Sequence, residues 1–162
     1  MTNKDPIVIG RAERVNFPEL QCSDVPARID TGAKTSALWA SSVAEQDGTL
    51  QVVLFGDGNE FFTGQTVRFT EYATTVVASS NGQAEERFKV RLLVQLGGKK
   101  IRAWFTLADR STQAYPVLIG RNVLRGKFIV DVKQGKVLYD AERRRTAELR
   151  SVVEKPESEE KV

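Results

Sequence analysis

Histidine is absent from all 162 residues, cysteine and methionine occur once each, and no run of 18 apolar residues exists. Without histidine, Ser-His and Cys-His nucleophilic schemes and any histidine-ligated metal centre are excluded. The lone Cys22 cannot close an intrachain disulfide, and there is no charged-then-apolar N-terminal segment. We therefore expect a reduced, cytoplasmic protein with no membrane association. No Gly-x-x-x-x-Gly-Lys-Ser/Thr phosphate loop, internal repeat or low-complexity segment is present either. Carboxylate chemistry is what remains.

The length favours one domain, large enough to bury roughly two thirds of its unfolded surface without staples. Net charge is +3, and the basic residues are scattered along the chain. That pattern fits solvated faces rather than a nucleic-acid surface, which needs a clustered stripe.

Most of the chain alternates with period two. Phe88, Val90, Leu92, Val94 and Leu96 alternate with Arg87, Lys89, Arg91 and Gln95, Gly97-Gly98 intervenes, and Ile101, Ala103, Phe105 and Leu107 alternate again. This predicts a β-hairpin with a primed turn. Val52 to Phe55, Val67 to Tyr72 and Thr74 to Ala78 read as further strands, and Asn81-Gly82 as a second turn. One short helix is expected at Asn122 to Arg125. Composition shifts after Tyr139: Ala141 to Val153 can form a helix, and Glu154 to Val162 reads as a disordered tail. The expectation is an all-β domain over residues 1–139, a small closed or partly closed barrel, followed by a helix and tail over 140–162.

Asp30-Thr31-Gly32-Ala33 follows an apolar approach (Val25, Ala27, Ile29) and precedes Lys34-Thr35-Ser36-Ala37-Leu38. About ninety residues later comes Val117-Leu118-Ile119-Gly120-Arg121-Asn122-Val123-Leu124. The ordered pair resembles a retropepsin, in which an Asp-Thr-Gly-Ala loop is crossed by a strand ending in two apolar residues and Gly, followed by Arg-Asn and a short helix. The chain is also similar, over roughly residues 7 to 138, to a bacterial family labelled ATP-dependent zinc proteases and often encoded beside ligases that add glutamate to a ribosomal protein. That similarity rests on Ile9-Gly10 with Glu13, Pro18-Glu19-Leu20, the Asp30 segment, Ser79-Ser80-Asn81-Gly82 with Glu85 or Glu86 and Arg87, and Asp109-Arg110-Ser111 before Tyr115-Pro116. Where relatives commonly carry histidine after Ser-Ala-Leu, this chain has Trp39. A zinc site would then need carboxylates alone, which suit harder ions. We expect neither a metal nor another cofactor.

The resemblance implies a homodimeric aspartic endopeptidase with Asp30, Thr31 and Gly32 as its catalytic loop. Two carboxylates are needed, one ionised to take a proton from water and one protonated to donate to the substrate carbonyl, and like charges at about 3 Å titrate as a coupled pair. One chain offers one loop, so the partner is Asp30 of a second copy on a two-fold axis. Read without the resemblance, Asp30 is a turn aspartate capping backbone amides. Thr31 is implied to hold the two loops in register, and Ala33 to lie beneath them.

Retroviral peptidases usually have aspartate at the position of Lys34, where it pairs with the arginine of the Gly-Arg-Asn patch. Here Lys34 and Arg121 are both cationic, so Arg121 must find Asp109, Asp131, a neighbouring carbonyl or an acidic substrate. Either Lys34 points to water, or Lys34 with Arg110 or Arg87 makes a cationic cleft that selects glutamate-rich peptides, such as a glutamate-modified ribosomal protein. Asn81-Gly82 is a hairpin tip, placed where a retropepsin carries its flap. The substrate-contacting set is thus Ala33, Lys34, Asn81, Gly82, Arg87, Arg110 and Arg121. Trp39 and Trp104 read as core or interface aromatics and Cys22 as a small buried hydrophobe. Two other readings are a non-catalytic dimeric binding module and a carboxylate-metal peptidase.

Overall fold

The computed structural model describes residues 5–78 and 81–154. Ser79, Ser80 and the expected tail beyond Glu154 lie outside the described residues.

Alternation of apolar and charged side chains builds the centre of the molecule. In β8 (Ala84–Leu96) and β9 (Lys99–Ala108), Val90 registers against Phe105, Leu92 against Ala103 and Val94 against Ile101. All six are buried, because every second residue of each strand faces the core. Gly97 and Gly98 have φ of 56° and 82°, the left-handed pair that a two-residue primed turn requires. Phe17 meets Phe105 edge to face at 5.5 Å between ring centres.

Four more strands complete a ring: β2 (Ala12–Phe17), β3 (Cys22–Ile29), β4 (Ser36–Gln46) and β10 (Val117–Ile119). Around it run β10, β3, β2, β8, β9 and β4, and the ring closes because β10 is parallel to β3 and antiparallel to β4. The expected all-β barrel is therefore present and fully closed, with six strands.

Other strands decorate the barrel. β5 (Thr49–Leu54) pairs with the far half of β4 through Asp47-Gly48, whose φ values of 52° and 75° make a second primed turn. β6 (Thr66–Phe69) pairs with β5, and β7 (Tyr72–Ala78) with β8. The single strand expected from Val67 to Tyr72 is thus two strands serving different neighbours, broken at Thr70-Glu71. A small parallel pair joins β1 (Ile7–Ile9) to β11 (Phe128–Val130).

The inner helix, α1 (Arg121–Leu124), and the C-terminal helix, α2 (Tyr139–Glu154), each fall within two residues of expectation. No residue of α2 is buried. It touches the barrel through Arg11 and Glu142 at 2.8 Å and through the Leu138 amide, which donates to the Tyr115 hydroxyl at 3.3 Å. Among the described residues no helix is long and apolar enough to cross a membrane.

Candidate active site

β3 delivers Ile29 into the core and ends, so Asp30 stands at the barrel rim, half-buried. β10 lies between the two strands that flank the loop: β3 before it and β4 after it. Its backbone holds the loop from one side, with the Asp30 amide donating to the Ile119 carbonyl at 2.9 Å. The Gly32 amide donates to Asp30 Oδ1 at 2.9 Å, which fixes the carboxylate's direction. A Cβ on Gly32 would sit 3.2 Å from that same oxygen. A side chain here would crowd the carboxylate, which would have to shift by a few tenths of an ångström.

Gly120 is packed more tightly. A Cβ there would meet the Ala33 carbonyl oxygen at 2.9 Å and the Thr35 carbonyl carbon at 2.7 Å, so loop and crossing strand touch backbone to backbone. The Arg121 amide donates to the Ala33 carbonyl at 2.8 Å, and the Asn122 amide to that of Lys34 at 3.2 Å. Beneath them lies a polar network. Ser36, fully buried, accepts from the Gly120 amide at 2.9 Å and donates to Asn122 Oδ1 at 2.8 Å, while Asn122 Nδ2 donates to the Trp104 carbonyl at 2.9 Å and Thr106 Oγ1 to the Ser36 carbonyl at 3.3 Å. A buried polar group costs free energy unless satisfied, so the two patches are locked as one unit. Sequence reasoning had quoted Ser36 and Asn122 within their motifs but gave them no role; two short polar side chains amid apolar runs were the available signal.

Arg28, Arg87 and Asp30 all lie within electrostatic reach of Arg110. Arg110 lies partly inside the protein, its Nε donating to the Tyr115 carbonyl at 2.9 Å. Burial, then the neighbouring charges of Arg28 and Arg87, pull its pKa down to about 10 against the opposing influence of Asp30. Arg87 pairs with Glu85 at 3.2 Å, and its Nε is buried with no partner among the described residues. Converging cations favour an anion between them. Arg28 had been given no role in the sequence reading, although it sits two residues before Asp30. A cleft of about 500 Å³ opens on the side of Arg28, Ile29 and Arg110, walled by Arg11, Arg28, Arg110 and Tyr115 of the barrel and by α2; neither Asp30 nor Arg87 lines it.

Other expected residues fall elsewhere. Lys34 is exposed, and among the described residues its side chain makes no hydrogen bond or ion pair. Nothing joins it to the arginine cluster. Arg121 is exposed rather than buried and donates to the Thr31 carbonyl at 3.1 Å, while Asp109 accepts from the Ser111 amide and Asp131 from the Lys133 amide. Thr31 and Ala33 take part through these carbonyls. Asn81 Oδ1 accepts from the Gln83 amide at 3.1 Å and Gly82 has φ 83°, both on the connection between β7 and β8. Arg87 lies on the β8 arm of that hairpin. Trp39 packs on the core, and Lys89 lies over Trp104 at 4.9 Å. Cys22 is only half-buried, with burial pushing its thiol pKa up. No three histidine, cysteine, aspartate or glutamate side chains cluster among the described residues, so the donor set does not fit zinc.

An Asp-Thr-Gly loop crossed by an apolar-apolar-Gly strand and locked to an Arg-Asn helix start is the geometry on which comparison with known proteins turns. The model of a family described as RimB-like, "Retropepsin-like aspartic endopeptidase RimB", matches residues 8–139. The chain belongs to that family. The matched segment holds the whole barrel and ends where α2 begins. A solved structure of Lpg0085, a protein of unknown function from Legionella pneumophila, aligns with a TM-score of 0.62 at 24% identity, over 81% of this chain and 97% of that one. That likeness shows the fold. Among curated proteins, the "Probable alpha-L-glutamate ligase" of Shewanella pealeana is 27% identical over 130 residues and that of Shewanella halifaxensis 29% over 128. Each match takes 76% of this chain but 28% of the relative, so this chain spans little more than a quarter of their length.

Proposed function

We propose that the protein is a homodimeric aspartic endopeptidase acting on acidic or glutamate-extended peptides. The observation that carries this reading is the Asp30 carboxylate, fixed at the barrel rim by the Gly32 amide and by a crossing strand, in a chain of the aspartic endopeptidase family. Two copies meeting on a two-fold axis bring Asp30 and its counterpart together. The ionised one takes a proton from water as the water oxygen bonds to the peptide carbon; the protonated one donates to the carbonyl oxygen. The resulting diol collapses as the C–N bond breaks, and the departing nitrogen takes a proton from the dyad. Thr31 and Gly32 hold the loop, and the β7–β8 hairpin closes over the substrate and excludes water.

Arg28, Arg87 and Arg110 supply the preference for acidic chains, with Lys34 and Arg121 at the exposed margin. The ligase relatives, named for glutamate, are consistent with such a substrate. The working site is intracellular, in keeping with one unpaired cysteine. A second reading, a non-catalytic dimeric binding module, is favoured by the relatives being named ligases rather than peptidases. Hydrolysis of glutamate-extended peptides by the wild type and by Asp30→Asn, each with and without a strong chelator, separates the readings. Activity lost in Asp30→Asn and indifferent to chelation supports the peptidase; no hydrolysis by the wild type, with peptide still bound, supports the binding module.

A further inference from the structure

The basic cleft lined by Arg110 and by Ile29, the residue before Asp30, already holds a carboxylate, and it comes from the chain itself. Arg11, Arg28, Arg110 and Tyr115 wall the cleft on the barrel side; Glu142 projects from α2 opposite them. Glu142 Oε2 lies 2.8 Å from Arg11 Nη2. Burial would raise its pKa, but hydrogen bonds with Arg11 and Tyr115 and the charges of Arg11 and Arg28 outweigh this and hold it below the usual glutamate value. The helix that presents it is otherwise weakly anchored. None of its residues is buried, and Leu149, Val152 and Val153 are 54%, 71% and 84% exposed. A partly exposed ion pair is worth little in water, so such an anchor is displaceable. α2 also lies outside the family match, as an addition to a complete barrel.

We infer that α2 is an autoinhibitory strap in which Glu142 occupies the place of a substrate carboxylate. The inference rests on reading the basic cleft as the acidic-substrate site. An incoming acidic peptide competes with Glu142 for Arg11 and Arg28, and its apparent affinity is reduced by the fraction of molecules with the strap in place.

The test uses the full chain carrying Asp30→Asn, so that peptide is bound without turnover, and follows a fluorescent pentaglutamate peptide by anisotropy. Adding Glu142→Gln should tighten binding about threefold, the scale of one exposed ion pair. Ala147→Pro, which breaks α2, should tighten it at least as much while abolishing helical circular dichroism. A neutral peptide of equal length should not respond. If the Asp30→Asn protein binds pentaglutamate and Glu142→Gln leaves binding unchanged or weaker, the strap is wrong and the substrate reading stands. If no variant binds pentaglutamate, the substrate reading fails and the strap falls with it. Should Ala147→Pro not fold, Glu142→Gln alone decides.

Discussion

Glu142 lines the basic cleft and Asp30 acts on Arg110 at its wall, and the two carboxylates are held in opposite ways. Asp30 stands on a loop clamped by backbone bonds to β10 and by a fully buried serine. Glu142 stands on a helix with no buried residue, tied to the barrel by an ion pair with Arg11, a hydrogen bond with Tyr115 and a bond from the preceding turn. On the proposed mechanism Asp30 meets its twin across a symmetry axis and needs a fixed position, since a misplacement of about 1 Å can cost a hundredfold in rate. A group that must yield to substrate needs a weak anchor. The contrast is one of burial, and each side of it can be disturbed separately.

The largest effect is expected where burial is complete. Phe105→Ala removes a ring packed against Phe17 and should cost about 3–5 kcal/mol of stability, whereas Leu149→Ala on α2 should stay within about 0.5 kcal/mol. Urea unfolding of both variants checks this, and equal costs would erase the contrast. Next comes Ser36→Ala, which leaves the buried Gly120 amide without its acceptor and should cost about 1–3 kcal/mol. If unfolding shows no loss, the network beneath the loop is not what holds Asp30.

Arg110 lies between the two regions. Arg110→Gln should weaken acidic peptides about tenfold, roughly 1.4 kcal/mol, while Lys34→Gln, exposed and unbonded, should change them far less. Rising salt should weaken acidic peptides and spare neutral ones, since exposed charges are screened over about 10 Å at 0.1 M. A KM series over both peptides and two salt concentrations reads this, and a larger effect at Lys34 would return it to the cleft. The smallest effect concerns pH. Glu142 has its pKa lowered on folding, so its contribution to holding α2 is full above the ordinary value of 4.5 and fades as pH falls through the lower folded value. Helical circular dichroism should therefore decline in acid from about pH 4.5 downward while fluorescence from Trp39, packed on the core, persists. Glu142→Gln should flatten that decline.

How much of this was legible in the sequence follows the same division. The β8–β9 hairpin was readable because its buried residues alternate and Gly97-Gly98 dictates its turn. The Asp30 loop and its crossing strand were readable because backbone contact at Gly120 and the close carboxylate at Gly32 tolerate few residues. Asp47-Gly48 carried an equally plain turn signal that was passed over. Thr70-Glu71 could not be read as a break, because which neighbour each half joins depends on the closed ring rather than on local pattern. Arg28 was given no role for a related reason: an exposed arginine on an alternating strand looks like any solvated residue until Arg87 arrives from β8 and Arg110 from the loop after β9. Of the acceptors open to Arg121, the structure shows the neighbouring carbonyl, that of Thr31, a choice that no residue identity announces.

The central claim is that one Asp-Thr-Gly loop per chain becomes catalytic only when two copies meet. The most direct test measures specific activity on a glutamate-extended peptide across a dilution series while sedimentation follows association in the same samples. The account predicts that specific activity falls in step with the dimer fraction as the protein is diluted through its dissociation constant. Undiminished specific activity in samples that sediment as monomer would contradict it.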